Sequence, residues 1–261
     1  MVFLITLSIN LAAFLGLWLY QEVSKNASFV DVLWAFSIGV QAGIYYWWLG
    51  GQSPHGVLTL FLAVFWCLRL SLYLTRRLWR QAEDSRYRKL REKWGSASSR
   101  NFLWVHLMNA AVSWLMALSF YPLFAHQSEE GSWALWLGFA LGMSAIFLEA
   151  LADYQLKKFK LQKANQGRVL DTGLWRYSRH PNYFFEWLHW LSYGVMAWGL
   201  TLGSLSFVGA VVIYVFLTRI TGIPFERDKA PEVRPKYAEY VAKTSAFFPW
   251  PPKETRPKER A

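Results

Sequence analysis

Polar side chains that can bind a ligand stand at the start of an apolar stretch, in the segment R-Y-S-R-H-P-N-Y-F-F-E-W at 176–187. If Pro181 begins a helix, as proline at the first helical position favours, Asn182, Glu186 and His189 lie on one face at i, i+4 and i+7. A carboxyl group one turn inside an apolar helix is costly unless it faces a partner or a cavity. A lone Glu186 is most simply explained as the partner of a neighbouring Arg. Three polar groups on one face predict a binding site instead.

A second polar stripe lies in the segment E-A-L-A-D-Y-Q-L-K-K-F-K at 149–160. Glu149, Asp153, Lys157 and Lys160 follow helical spacing and fall on one face. Surface ion pairs, worth only about 0.3–0.5 kcal/mol each, explain the lysines equally well. Asp153 is predicted to lie deeper in the apolar stretch and is the better site candidate.

A third group of polar residues is the segment E-D-S-R-Y at 83–87. Asp84, Arg86 and Tyr87 offer a carboxylate, a guanidinium and an aromatic ring, which could hold a ribose, a phosphate and an adenine. Arg suits a phosphate because its planar guanidinium donates two parallel hydrogen bonds. The alternative is a solvated basic helix beside a membrane.

A fourth candidate is Asp31, in the segment S-F-V-D-V-L-W. By itself it is explained as a carboxylate that the helix dipole favours near a helix start. However, Arg69 should lie at a similar depth in a neighbouring helix, with Tyr73 one turn away. An Asp, an Arg and a Tyr at one depth predict a pocket that can donate a proton.

Motifs for metals and nucleotides are not recognisable in the sequence. Cys67 is the single cysteine, and the five histidines are scattered, so no Cys/His spacing favours a metal site. The sequence has neither a G-x-G-x-x-G turn after a strand nor a P-loop. It has no recognisable nucleic-acid module, although the net charge is +11.

The elements that must position these groups follow from composition. The 261 residues are 54% hydrophobic and 18% aromatic, and only 17% are charged, below the usual quarter. Because lipid offers backbone groups no hydrogen bonds, apolar stretches of about 20 residues predict membrane-spanning helices. The seven predicted spans are 2–20, 29–49, 56–75, 102–125, 133–152, 184–200 and 204–223. The expected fold class is an all-α integral membrane protein.

The positions of Lys and Arg predict the orientation of the spans. Apart from Lys25 and Arg69, these residues fall in three blocks, 76–100, 157–179 and 219–260. The connections between other spans contain none, namely 50–55, 126–132 and 200–203. Seven spans place all three blocks on one side, which the positive-inside rule makes cytoplasmic. The N-terminus is then outside and the C-terminus is cytoplasmic. The basic face either anchors the topology beside anionic lipid or binds a polyanionic ligand.

The spans predict one domain at 1–248, with a signature region at about 133–248, followed by a mobile basic tail at 249–261. The short connections and the lack of a retention signal favour the inner membrane of a bacterium.

At 171–198, the segment D-T-G-L-W-R-Y-S-R-H-P-N-Y-F-F-E-W-L-H-W-L-S-Y-G-V-M-A-W resembles the C-terminal signature of steroid 5α-reductases and their bacterial relatives. Sterol reductases and isoprenylcysteine carboxyl methyltransferases share a looser version. The resemblance covers most of 65–250, through A-D-Y-Q-L-K-K-F-K, E-D-S-R-Y, K-Y-A-E-Y and F-F-P-W.

The resemblance implies NADPH as cofactor, with Asn182 and Glu186 at the nicotinamide. It implies that Asp31, where the family has Glu, polarises the substrate. Strict register places Trp66 where the family has the partner Tyr, so Tyr73 is the substitute candidate. The segment at 224–235 departs from the family pattern. The residues expected to bind the cofactor are Arg69, Asp84, Arg86, Tyr87, Asp153, Lys157, Lys160, Arg168, Arg176, Arg179, His180, Asn182, Tyr183, Glu186 and Glu226.

The function that the resemblance implies is reduction of the 4,5 double bond of 3-oxo-4-ene steroids or similar enone lipids that enter from the bilayer. Hydride goes to C5 while a donor polarises the 3-oxo group. One alternative is a methyltransferase that uses S-adenosylmethionine on a lipid-borne group. Another is a non-catalytic sterol-binding protein.

Overall fold

The computed structural model of the protein describes residues 1–79, 83–224 and 237–253. Helices make up 79% of the structure, and no β-strand occurs in these ranges. The predicted all-α class is therefore confirmed.

Ten α-helices follow one another along the described ranges. They are α1 (Val2–Ser24), α2 (Phe29–Leu49), α3 (Pro54–Leu78), α4 (Ser85–Trp94), α5 (Ser98–Ala117), α6 (Tyr121–Ala125), α7 (Trp133–Leu161), α8 (Pro181–Met196), α9 (Val208–Val215) and α10 (Tyr237–Lys243). Short 3₁₀ turns connect several of them, and a π-helical turn at Phe216–Ile220 continues α9.

Local sequence signals explain several helix ends. The hydroxyl of Ser53 caps α3 by accepting a hydrogen bond from the Gly56 N–H, and Pro54 takes the first helical position. The carboxyl of Asp84 caps α4 in the same way through the Arg86 N–H. At the end of α2, Gly50 adopts a φ of 71°, a left-handed conformation that glycine tolerates without strain. These ends fix the short connections between the long helices.

Six helical segments are long and apolar enough to cross a membrane. They are Val2–Ser24, Phe29–Leu49, Pro54–Leu78, Ser85–Ala125, Trp133–Leu161 and Gly203–Ile220. Each overlaps one of the predicted spans, although Ser85–Ala125 begins well before the predicted span 102–125. The remaining predicted span, 184–200, corresponds to α8, which has 16 residues and is about 24 Å long. That is shorter than the roughly 30 Å of a hydrocarbon core.

The chain forms two compact units. The first comprises 1–139 and 193–209, and the second comprises 140–192 and 210–261. Both α7 and α8 contribute residues to each unit.

In the first unit, the helices pack closely at small and polar residues. A Cβ atom on Gly39 of α2 would lie 2.3 Å from the Cys67 sulfur of α3, so the two helices touch there. The indole of Trp18 on α1 donates to the Ser99 carbonyl on α5 (3.1 Å). The amide of Asn10 also bonds to α5. An apolar groove of about 530 Å³ lies along α1 and α2.

In the second unit, an aromatic cluster joins α8, α9 and the C-terminal segment. Its rings make edge-to-face and tilted contacts with centroids 5.1–6.4 Å apart. The cluster consists of Phe184, Trp187, Tyr214, Phe247 and Phe248.

We predict that Gly39→Ala lowers the stability of the protein by about 1–3 kcal/mol, because the added methyl overlaps Cys67 and forces α2 from α3. Gly43→Ala is the matched control, since a Cβ at Gly43 meets nothing within 4 Å. Thermal unfolding in lipid nanodiscs measures both. Equal melting temperatures for the two variants would contradict the close contact between α2 and α3.

Candidate functional site

The first polar site brings the start of α2 onto the start of α4. Asp31 accepts hydrogen bonds from the Arg86 guanidinium (2.8 Å) and from the Tyr87 hydroxyl (2.7 Å). The Arg86 guanidinium also donates to Asp84 (3.2 Å). We call Asp31, Asp84, Arg86 and Tyr87 the Asp31 cluster. Its members come from segments that precede and follow α3 in the chain. The fold brings Asp31 and Tyr87 together although they are 56 residues apart in the sequence.

Asp84 anchors this cluster. Its backbone N–H donates to the Ser28 hydroxyl (2.7 Å), and its carboxylate accepts from the Arg77 guanidinium (3.0 Å). Burial by itself raises the pKa of the Asp84 carboxyl. Hydrogen bonds from Arg86 and the positive charges of Arg86 and Arg77 outweigh that effect, so the pKa lies below its usual value. The folded structure therefore favours the ionised form of Asp84.

A neighbouring ion pair that the sequence did not reveal holds the α1–α2 loop. Glu83 accepts two hydrogen bonds from the Arg91 guanidinium (2.7 and 3.1 Å) and one from the Ala27 N–H (2.9 Å). Arg91 also donates to the Gln21 side chain (3.0 Å) at the end of α1. Gln21, a polar residue in the last turn of an apolar helix, was the available signal for this contact.

Among the described residues, Asp31 makes no hydrogen bond to Arg69 or Tyr73, which lie half-buried on α3. The Arg and Tyr that contact it are Arg86 and Tyr87 instead. Trp66 is fully buried and packs edge-to-face on Trp34 of α2, with ring centroids 6.0 Å apart. Trp34 lies one turn from Asp31 on α2.

The second polar site lies in the second unit, on α7 and α8. Asn182 donates from its amide to the Asp153 carboxylate (3.1 Å), and the Trp190 indole donates to Glu186 (3.0 Å). Asp153, Glu186 and His189 are buried. We call Asp153, Asn182, Glu186 and Trp190 the Asn182 cluster. The helix start at Pro181 is confirmed, and the structure joins the two stripes predicted separately from the sequence.

Several lysine and arginine residues lie close to this cluster in the sequence. Lys157, Lys160, Arg168 and Arg176 are exposed, and Arg179 is half-buried. The Nε–H of Arg179 is buried without a hydrogen-bond partner among the described residues. A buried guanidinium N–H of this kind suits an anionic ligand.

The structure also brings two other predicted residues into contact. The His180 and Tyr183 rings stack with centroids 5.2 Å apart. A cavity of about 230 Å³ is lined by the end of α7 and the loop that follows, including Lys158 and Thr172. Glu226 lies outside the described residues.

The C-terminal segment holds the loop at 175–180 through hydrogen bonds to its backbone carbonyls. The Ser178 hydroxyl donates to the Phe247 carbonyl (2.8 Å), and the Arg179 N–H donates to the Ser245 carbonyl (2.8 Å). The Nδ1 of His180 lies 2.9 Å from the Ala246 carbonyl, so this nitrogen carries the proton. Residues before α8 are thus fixed by a segment that follows them by about 65 positions.

Tyr240 completes this attachment. Its hydroxyl donates to the Trp175 carbonyl (2.5 Å) and lies 3.3 Å from the Ser178 carbonyl. Burial raises the pKa of this phenol, so it remains a donor at physiological pH. In the predicted tail, the Trp250 N–H donates to the Tyr177 carbonyl (2.9 Å), so this part of the tail is attached. Residues 254–261 lie outside the described ranges.

Together, the fold and the two clusters define a helical membrane protein with paired charges at helix ends in one unit and exposed cations in the other. Comparison with known proteins identifies the family to which the chain belongs. The profile of the family described as "Protein of unknown function (DUF1295)" matches residues 17–244. The chain belongs to this family, which includes steroid 5α-reductase-like proteins.

A fungal protein is similar over most of its length. The uncharacterized protein C594.04c of Schizosaccharomyces pombe is 30% identical over an alignment that covers 89% of this chain and 75% of the fungal protein. No solved structure matches the chain significantly.

We predict that Asp84→Ala lowers the free energy of unfolding by about 1–3 kcal/mol, because it removes a helix cap and leaves Arg86 without one partner. Asp84→Asn keeps a capping oxygen and removes only the charge. In the wild type, the charge contributes stability above the unfolded pKa of about 3.9. This contribution is lost as pH falls through the lower folded pKa.

Thermal unfolding between pH 6 and pH 3 tests this. Asp84→Asn should lose less stability than the wild type on acidification. Glu92→Ala, on the exposed face of the same helix, is the control and should change stability by less than about 0.5 kcal/mol. Parallel pH curves for wild type and Asp84→Asn would contradict the lowered pKa of Asp84.

We also predict that Tyr240→Phe loosens the loop before α8, because the Trp175 carbonyl loses its buried donor at a cost of about 1–3 kcal/mol. Hydrogen exchange of the amides at 175–180 should become faster. Tyr237→Phe is the control, since the Tyr237 hydroxyl makes no hydrogen bond to the described residues. Exchange unchanged in Tyr240→Phe would contradict this role of the Tyr240 hydroxyl.

Proposed function

We propose that this protein is an NADPH-dependent reductase of the 4,5 double bond in 3-oxo-4-ene steroids or similar enone lipids. The observation that carries the proposal is the 3.1 Å contact between Asp153 and Asn182, with the buried Glu186 one turn further along α8. These residues match the cofactor-binding motif of steroid 5α-reductases. Membership of a family that includes proteins of that kind supports the same assignment.

The side chains of the second unit fit a dinucleotide phosphate. Arg179 has a buried donor without a partner in the described chain, and Arg168 and Arg176 are exposed. These cations would neutralise the diphosphate and the 2′-phosphate. Asn182 and Glu186 would orient the nicotinamide through its carboxamide. When bound, NADPH would supply the hydride.

The sequence predicts that Asp84, Arg86 and Tyr87 bind the cofactor. Because Arg86 and Tyr87 contact Asp31, the Asp31 cluster is proposed instead to polarise the 3-oxo group of the substrate. Asp31 accepts hydrogen bonds from Arg86 and Tyr87, so its proposed role changes from the donor itself to the residue that orients the donors. A fixed phenol or guanidinium donor stabilises the enolate that develops as hydride adds to C5. A proton then adds to C4, which completes the saturation of the double bond. Tyr73 stays the alternative donor.

The topology proposed with this function has seven spans, with α8 as the seventh. A helix of 16 residues can cross if the bilayer thins or its flanking residues extend to the interface. The N-terminus would be outside, and the basic blocks and both clusters would face the cytoplasm. The bacterial inner membrane stays a prediction, and the fungal relative means that the family also occurs in a eukaryote.

We expect purified protein in lipid nanodiscs to be stabilised by NADPH and to oxidise it only when a 3-oxo-4-ene steroid is added. A ligand at 100 times its Kd adds about 2.7 kcal/mol, which thermal unfolding detects easily. Glu186→Ala should abolish the stabilisation and the turnover. Asp31→Asn should lower turnover by about 10²–10³-fold and leave NADPH binding intact.

The controls separate the alternatives. Glu130→Ala, on an exposed connection, should behave as the wild type. Stabilisation by S-adenosylmethionine and not by NADPH would establish the methyltransferase alternative. Steroid binding without NADPH oxidation would indicate a sterol-binding protein. Stabilisation by neither nucleotide would overturn the reductase proposal.

A further inference from the structure

The cavity of about 230 Å³ at the C-terminal end of α7 lies within the second unit, and we call it the α7 cavity. Its polar lining residues are Gln155, Lys158, Gln162 and Thr172. Among the described residues, no carboxylate lines this cavity. Lys158 also makes no ion pair with the described part of the chain. The α7 cavity therefore carries an uncompensated positive charge.

Internal hydrogen bonds leave the two glutamines of the cavity as donors. The Leu174 N–H donates to Gln155 Oε1 (3.1 Å), and the Asn165 amide nitrogen donates to Gln162 Oε1 (2.9 Å). The oxygen of each glutamine is thus engaged. The NH2 groups of both glutamines make no hydrogen bond to the described residues. Together with a lysine ammonium, two amide donors suit the oxygens of a phosphate group.

Lys158 belongs to a line of exposed side chains along α7. Phe147, Leu151, Tyr154 and Lys158 follow one another at i, i+4, i+7 and i+11, so they share one face of the helix. All four are exposed. The face changes from apolar to aromatic and then to cationic toward the end of α7. This order is typical of a helix that passes from hydrocarbon through the interface to the lipid headgroups.

The length of α7 agrees with this position. The helix has 29 residues and is about 44 Å long. The hydrocarbon core is about 30 Å thick, and the bilayer with its headgroups about 40–45 Å. Trp133 at the start of α7 is exposed, as an aromatic residue at one interface would be. The last turn of α7, with Lys158, then lies in the headgroup layer of the opposite side.

The α7 cavity is separate from the Asn182 cluster. Asp153, which contacts Asn182, is the residue that α7 contributes to that cluster. Gln155 and Phe159 line the cavity, and they follow Asp153 by two and six residues. At about 100° per residue, these steps are rotations of about 200° and 240° around the helix. The cavity and the cluster therefore lie on opposite sides of α7.

We propose that the α7 cavity binds the headgroup phosphate of an anionic phospholipid. The acyl chains would lie along the exposed face of α7, and the phosphate would accept hydrogen bonds from Lys158, Gln155 and Gln162. A zwitterionic lipid such as phosphatidylcholine binds less well, because its choline cation repels the Lys158 ammonium. The inference goes beyond the proposed reductase function and does not depend on it.

The experiment places the protein in phosphatidylcholine nanodiscs that contain increasing fractions of phosphatidylglycerol, without NADPH or steroid. Thermal unfolding gives the apparent affinity for phosphatidylglycerol, and native mass spectrometry shows whether this lipid stays bound. The wild type should become more stable as phosphatidylglycerol is added. Lys158→Gln should weaken the affinity by about fivefold, the contribution expected of one lysine at a lipid surface.

Gln162→Glu keeps the oxygen to which Asn165 donates and places a carboxylate at the cavity. This variant should weaken the affinity by about tenfold or more, because the carboxylate repels the phosphate. Lys93→Gln, at an exposed position of α4 in the first unit, removes the same charge and is the control. It should keep the wild-type affinity. Melting temperatures in pure phosphatidylcholine show that the variants fold.

Three outcomes would show that the inference is wrong. The first is equal stability with and without phosphatidylglycerol. The second is an equal loss of affinity in Lys158→Gln and Lys93→Gln, which would mean that general surface charge attracts the lipid. The third is the full stabilisation by millimolar inorganic phosphate in phosphatidylcholine alone, which would assign the cavity to a free anion. None of them bears on the proposed reductase function, because the assay contains neither NADPH nor steroid.

Discussion

A charged group at the end of an apolar helix must find its partner within the chain, because hydrocarbon supplies none. The first unit meets this constraint by pairing. Asp31 at the start of α2 contacts Arg86 of α4 at 2.8 Å, and Arg86 also bonds to Asp84. Glu83 and Arg91 make a second pair at 2.7 Å. The first pair joins α2 to α4, and the second pair is hydrogen-bonded to Ala27 and Gln21. The positions of α1, α2 and α4 therefore depend on these contacts.

The second unit is held together by a different kind of contact. There the loop before α8 is held by neutral hydrogen bonds to the C-terminal segment, such as those of Ser178 and Tyr240. Lys157, Arg168 and Arg176 remain exposed, so their charges are available to an anionic ligand. In the first unit, the guanidinium groups of Arg77, Arg86 and Arg91 already have carboxylate partners. This difference supports the proposal that the cofactor phosphates bind in the second unit.

Periodicity in the sequence predicted the local part of this picture. The spacing of Asn182 and Glu186 after Pro181 requires only a helix. The contact of Asn182 with Asp153 joins two stripes that the sequence predicted separately, so it was found only in the structure. Hydropathy did not predict that α8 ends at Met196. Just after this helix end, the chain turns at Gly199, which has a φ of 82°. Average hydropathy contains no information about this backbone conformation. The sequence did not predict the partners of Asp31. Their positions depend on the path of the chain from α3 to α4, which helical spacing does not reveal.

Under the proposed function, the contacts of Asp31 explain how a shorter acid can serve where steroid 5α-reductases use Glu. An aspartate carboxylate reaches one methylene less far into the apolar interior. In this chain, the hydroxyl of Tyr87 and the guanidinium of Arg86 come to the carboxylate at 2.7 and 2.8 Å. Donors that are already oriented need not rearrange as charge develops on a substrate oxygen, and catalysis benefits most from such preorganisation. The acid can then be short, because its task is to hold the donors in place.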